Sequence, residues 1–233
     1  LLPWLDAGER WFPDPNTALD DPDGLLAAGA DLAPQRLLDA YQGGIFPWYS
    51  DDQPILWWSP NPRFVLRPGD VKISRSLAKT LKRGTFEVTF NQAFDRVLQH
   101  CAQRDETWIT NDMADAFRAL HLAGWARSVE AWQGNELVGG LYGICMGRCF
   151  FGESMFTKVS DASKTAFVTL ATQLGRWGFE WIDCQVETDH LQSLGAQPMP
   201  RVDFLRALTQ HTGPQAKLSS PPPSWPARPA IQW

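Results

Sequence analysis

Residues 127–152, RSVEAWQGNELVGGLYGICMGRCFFG, decide the fold of this chain. They read as three consecutive antiparallel strands, RSVEAW (127–132), ELVGGLYGICM (136–146) and RCFFG (148–152), with QGNE as the first turn. Upstream the apolar period is helical. Phe94, Val97, Leu98 and Cys101 recur at i, i+3, i+4 and i+7, which predicts an amphipathic helix over 91–103 capped by Asn91. A second helix is expected over about 111–123, with Ala114, Phe117 and Leu120 inward and Gly124 ending it. Downstream come a long helix at about 161–177, capped near Ser160 or Asp161, then the strand EWIDCQV (180–186) and the helix VDFLRALTQH (202–211). Two helices, a three-strand meander, a helix and a strand describe an α+β domain with a mixed sheet.

Residues 1–62 differ in character. They read as a small, loop-rich N-terminal domain around one helix, 34–42, with Pro34 in its first turn and Gly43–Gly44 at its stop. SPNP at 59–62 is the expected boundary with a larger domain at 63–211, and 212–233 forms a proline-rich tail that is extended or disordered. Within the small domain, YQGGIFPWYSDDQPILWWSPNPR (41–63) interleaves Tyr41, Phe46, Trp48, Tyr49, Trp57 and Trp58 with four prolines. Prolines at that density exclude a continuous helix or a central strand. The rings are therefore presented from irregular or edge structure.

Hydrophobic content of 44% and charged content of 20% place the chain among ordinary globular proteins, whereas twelve Trp point to aromatic-lined surfaces or pockets. LVGGLYGICMG (137–147) is too short to span a bilayer, and LLPWLDAGERW carries acids where a signal peptide needs positive charge. A cytoplasmic, non-membrane protein is expected. Cys101, Cys145, Cys149 and Cys184 form no C-x-x-C pair, and no HExxH pattern occurs, so neither disulfides nor a metal site is expected.

Net charge is −5, yet KISRSLAKTLKR (72–83) holds Lys72, Arg75, Lys79, Lys82 and Arg83 and no acid. On a helix capped by Ser74, four of these share one face, with Leu77 and Leu81 opposite and Ile73 near them. A one-signed stripe on an acidic protein is read as a polyanion-binding surface, with salt-dependent affinity.

The order of elements is that of the acyl-coenzyme A N-acyltransferase fold, known from the GCN5-related N-acetyltransferases. Coenzyme A users of that fold carry a glycine-rich loop before the long helix to hold pyrophosphate. The corresponding stretch here, SMFTKVSDASK (154–164), has no glycine, so an acyl donor other than coenzyme A is expected. Seven motifs then line up: GLLAAGADL (24–32), GIFPWYS (44–50), WWSPNPR (57–63), ETWIT (106–110), FFGESMF (150–156), WIDCQ (181–185) and DH-x-x-SLGA (189–196). Together, from about residue 12 to residue 208, they resemble the leucyl/phenylalanyl-tRNA–protein transferases. That family moves Leu or Phe from a charged tRNA to proteins with an N-terminal Arg or Lys, marking them for degradation, and uses no cofactor. A monomer is expected.

The resemblance implies roles for particular residues. Asp183 and Gln185 are the catalytic pair, two apart on one strand and so on one side of it. Asp183 would accept from the Gln185 amide and leave the amide oxygen aimed outward. Glu153 would meet the cationic N-terminal residue of the acceptor. Trp48 and Trp108 would stack the terminal adenosine. Leu141, Phe150, Met155, Phe167, Leu170, Leu174 and Ile182 would line the pocket for the donor side chain. Relatives can carry Asn in place of Thr188, and aromatics in place of Leu170 and Leu174, which would bear on hydrogen bonding and on the Leu–Phe preference. Two other readings compete: a different tRNA-dependent aminoacyl transferase, for which the chain is one domain short, and a non-catalytic RNA- or peptide-binding module.

Overall fold

A computed structural model describes residues 2–103, 108–212, 225–231 and 233. The elements, in order, are β1 (Trp4–Leu5), β2 (Leu25–Gly29), α1 (Pro34–Gln42), β3 (Phe46–Pro47), β4 (Leu56–Trp58), β5 (Arg63–Leu66), α2 (Arg75–Lys82), β6 (Glu87–Phe90), α3 (Phe94–Ala102) and α4 (Asn111–Leu122). Then follow β7 (Ala126–Gln133), β8 (Glu136–Met146), β9 (Cys149–Thr157), α5 (Ala162–Arg176), β10 (Trp181–Gln185), α6 (Asp189–Ser193), β11 (Gln197–Met199) and α7 (Arg201–Thr212).

Two sheets form. The first, of order β1-β2-β4-β3, uses residues 4–58 and gives the N-terminal region more regular structure than its prolines suggested. The second is seven-stranded and mixed, of order β11-β5-β10-β9-β8-β7-β6, with the meander β7–β8–β9 at its centre. β10 pairs parallel to β9 and antiparallel to β5. Parallel neighbours need a crossover, and α5 provides it.

β8 is buried along nearly its whole length, because both faces of the sheet are covered. Leu137, Tyr142 and Ile144 enter one apolar core with Phe94, Phe117 and Tyr41, which joins α1, α3 and α4 to the N-terminal sheet. Val138, Leu141 and Cys145 enter the other, under α5. Alternation along one strand, shifted in phase by a bulge between Leu137 and Gly139, thus serves two cores.

Several local expectations are corrected. Asn91 does not cap α3. Its backbone is left-handed and its Oδ1 accepts from Ser128 N–H at 3.0 Å. The buried Glu130 carboxylate takes the cap's place, accepting from Gln92 and Ala93 N–H at 3.3 Å each. Asp161 makes no side-chain cap for α5, and accepts instead from the Thr80 hydroxyl at 3.3 Å. Ser74 does cap α2, but Ile73 faces solvent and only Leu77 and Leu81 are buried, against Val168. The described part of the tail is not free. It is extended and docked, with Phe90 N–H donating to Ala227 O at 2.9 Å and Ala230 N–H to Gln173 Oε1 at 3.1 Å. All four cysteines are free thiols in the interior.

Candidate active site

β9 and β10 pair only through Trp181–Cys149, Ile182–Phe150 and Asp183–Phe151. Beyond these pairs the strands part. β9 runs on to Thr157, while β10 ends at Gln185, whose backbone stands at φ +65°. A non-glycine residue there costs about 1–3 kcal/mol and persists only where its surroundings hold it. Asp183 Oδ1 does so, accepting from Gln185 N–H at 2.9 Å.

A cavity of about 860 Å³ opens at this split. Its polar wall includes Glu153, Asp183 and Gln185. Leu141, Phe150, Met155, Phe167 and Ile182 give it an apolar floor. Trp48 and Trp108 stand at its aromatic side, beside Phe46 and Pro47. Leu170 and Leu174 are not on the wall; both are completely buried in the core under α5. Helical periodicity could not separate those two depths. Trp48 is 44% exposed and is propped by Trp58, whose indole N–H donates to Trp48 O at 2.6 Å. Trp57, by contrast, is sealed against Phe12 with its N–H on Gly29 O. Of ETWIT, Glu106 and Thr107 lie outside the described residues.

The polar wall differs from the expectation in one respect. Asp183 does not receive the Gln185 side chain. It forms a bidentate pair with Arg63, at 2.8 Å to Nε and 2.6 Å to Nη2, and both residues are 1% exposed. The Arg63 guanidinium also donates to Gly44 O at 3.2 Å and lies between the rings of Phe46 and Phe204, 4.7 and 4.8 Å from their centroids. The Gln185 amide nitrogen donates instead to Glu153 Oε1 at 2.9 Å. Glu153 is 8% exposed, and burial pushes its carboxyl up to about 8. Tyr41 and Gln185 pull the other way. The Tyr41 phenol is close enough to feel Glu153, yet the approach falls short of a hydrogen bond, and Glu153 Oε2 has no partner among the described residues.

Sequence reasoning missed Arg63, Tyr41 and His190. An Arg followed by the apolar run FVL was the available signal for the first, since a charge there needs a partner. His190 rims the cavity with its pKa lowered by burial and by Lys164. Thr188 also lies on the rim, and its hydroxyl caps α6 by accepting from Leu191 N–H at 3.2 Å. Lys72, Arg75, Lys79, Lys82 and Arg83 are all exposed, and Lys72 N–H bonds Leu194 O at 2.8 Å, joining the basic segment to the end of α6.

Two family models match the chain. One, described as leucyl/phenylalanyl-tRNA protein transferase, covers residues 65–209, and its N-terminal-domain counterpart covers 30–61. The chain belongs to this family. Relatives named leucyl/phenylalanyl-tRNA–protein transferase include one from Saccharophagus degradans, 54% identical over 95% of this chain and 90% of its own length. Another, from Aromatoleum aromaticum, is 56% identical over 91% of both chains. Among solved structures, a GCN5-related N-acetyltransferase from Kribbella flavida aligns over 70% of this chain and 60% of its own, at 12% identity and a TM-score of 0.37. That is too distant to bear on function. As a member of the leucyl/phenylalanyl-tRNA–protein transferase family the chain is an aminoacyltransferase, and no helix among its described residues is long and apolar enough to cross a membrane.

Proposed function

We propose that the cavity at the β9–β10 split joins the aminoacyl end of Leu-tRNA or Phe-tRNA to the α-amine of a protein beginning with Arg or Lys. One observation carries the reading: an apolar floor, two tryptophans and the Glu153–Gln185–Asp183 wall meet in a single cavity. The donor side chain takes the floor, Trp48 and Trp108 flank the terminal adenosine, and the exposed cations of α2 hold acceptor-stem phosphates. The unpartnered Glu153 oxygen receives the acceptor's cationic side chain.

Beside the acceptor's cationic side chain Glu153 gives up the proton that burial lets it keep before the acceptor binds. As a carboxylate it can only accept, so it fixes the Gln185 amide with its nitrogen inward and its oxygen left for the α-amine. The amine nitrogen attacks the ester carbonyl carbon, the ester C–O bond breaks, and the amide forms. Both Asp183 oxygens are committed to Arg63, and one also to Gln185 N–H, so Asp183 is not free to turn toward the amine. It positions Gln185, and the proton leaves with the ribose oxygen or with water. Positioning alone lowers a barrier by about 7–11 kcal/mol. The enzyme acts as a monomer in the cytoplasm, where charged tRNA is made, and its products are marked for degradation.

The test is incubation of labelled Leu-tRNA with peptides beginning in Arg or Ala, with and without acetyl-coenzyme A. Transfer confined to the Arg peptide and indifferent to coenzyme A is expected. RNA binding without transfer would favour a non-catalytic module instead.

A further inference from the structure

The described residues 225–231 and 233 lie past the end of both family matches, yet one of them, Trp225, packs behind a residue of the cavity floor. The strap is pinned to β6 by the Phe90–Ala227 hydrogen bond and the Arg228–Glu87 pair at 2.6 Å, and to α5 by Gln173. This anchoring presents Trp225 to the core under α5. Its ring centroid lies 5.2 Å from those of Phe90 and Trp177 and 6.2 Å from that of Phe150. Phe150 also lines the cavity. Elsewhere the Phe150 ring abuts Gly143, where an added Cβ would come within 2.6 Å of it. The ring is thus held between bare β8 backbone and Trp225, and close-packed neighbours of this kind leave it little room to shift.

We propose that Trp225 is a specificity-determining residue that sets the depth of the aminoacyl pocket by backing Phe150. The inference rests on the reading of this cavity as the donor site. Trp225 touches neither donor nor acceptor, so it acts only through the position of Phe150. With the indole gone, Phe150 can withdraw, and the deeper floor favours the larger donor side chain. A single methylene of fit discriminates by about 10–200-fold. Trp225→Ala should therefore raise the Phe-tRNA to Leu-tRNA ratio of kcat/KM by about tenfold, with the acceptor-peptide KM unchanged.

The ratio is measured for Trp225→Ala, Trp225→Phe, Arg228→Ala and Met155→Ala, alongside Tm. Trp225→Phe keeps a ring against Phe150 and should return the ratio to about the native value. Arg228→Ala removes one exposed ion pair, leaves the Phe90–Ala227 and Ala230–Gln173 hydrogen bonds to hold Trp225 in place, and should leave the ratio alone. Met155→Ala alters the cavity wall itself and reports on the donor-site reading. A shift with Met155→Ala but none with Trp225→Ala overturns the proposal and spares that reading; no shift with either overturns both. Equal loss of activity with both donors in Trp225→Ala, tracking a lower Tm, would reduce Trp225 to a structural role and also overturn the proposal.

Discussion

Arg63 and Asp183 are both sealed from water, and their attraction offsets two desolvation penalties. Breaking such a pair by removing one partner costs about 3–5 kcal/mol. Asp183→Ala should lose that much in urea unfolding, so lost transfer by this variant alone says little about chemistry. The paired change Arg63→Met with Asp183→Leu should regain most of the stability, since apolar replacements of buried pairs are often neutral. It should still fail to transfer, because Gln185 N–H loses its acceptor. Gln185 offers a second residue-scale test. Ala and Gly at 185 both delete the amide side chain, but only Gly relaxes φ +65°; the Gly variant should be more stable than the Ala variant by about 1–2 kcal/mol. Glu153 offers a third. Its folded pKa of about 8 lies above its unfolded value, so between them the unfolded chain is ionised and the folded one holds a proton. Its contribution to stability is complete below the unfolded pKa and is lost as pH rises through about 8. Glu153→Gln removes that dependence, so its Tm relative to the native chain should be higher at pH 8 than at pH 5.

At the scale of elements, the sequence made the long, periodic pieces legible: the meander, α1, α3, α4, α5 and α7 follow from spacing and stop signals. β5, β6 and β11 did not emerge, because three- and four-residue strands carry too little pattern to be distinguished from loops. Their pairing is also remote, as with β5 on β10 across some 120 residues of chain. The same remoteness hid the site's wiring. The Asp183–Gln185 spacing was readable, but the partner of Asp183 comes from β5 and the partner of the Gln185 amide from β9. The Asn91 misreading has the same origin, since Glu130 reaches the start of α3 from β7. α2, being local, was readable in its Ser74 cap and its buried leucines, though not in Ile73, which faces solvent. Lys79→Gln with Lys82→Gln should lower the slope of log K against log salt for tRNA binding by about 2, measured by filter binding, with little effect on a minimal aminoacyl-adenosine donor.

At the scale of the molecule, one apolar core runs from β2 and α1 of the first sheet through to β8 and β9 of the second. Without a separate core, the N-terminal region is not expected to melt by itself. Tryptophan fluorescence, which includes Trp57 of the first sheet, and far-UV circular dichroism should therefore give coincident urea transitions; a separate early fluorescence transition would contradict this. Arg63 concentrates that unity in one side chain. It touches Gly44 and Phe46 from the N-terminal region, Asp183 from β10 and Phe204 from the last helix. A partly assembled chain leaves the guanidinium without some of these partners and Asp183 without its counter-charge. The acceptor that holds Gln185 N–H is then set only once distant parts of the polypeptide have met. One buried arginine thereby ties completion of the polar wall to completion of the fold.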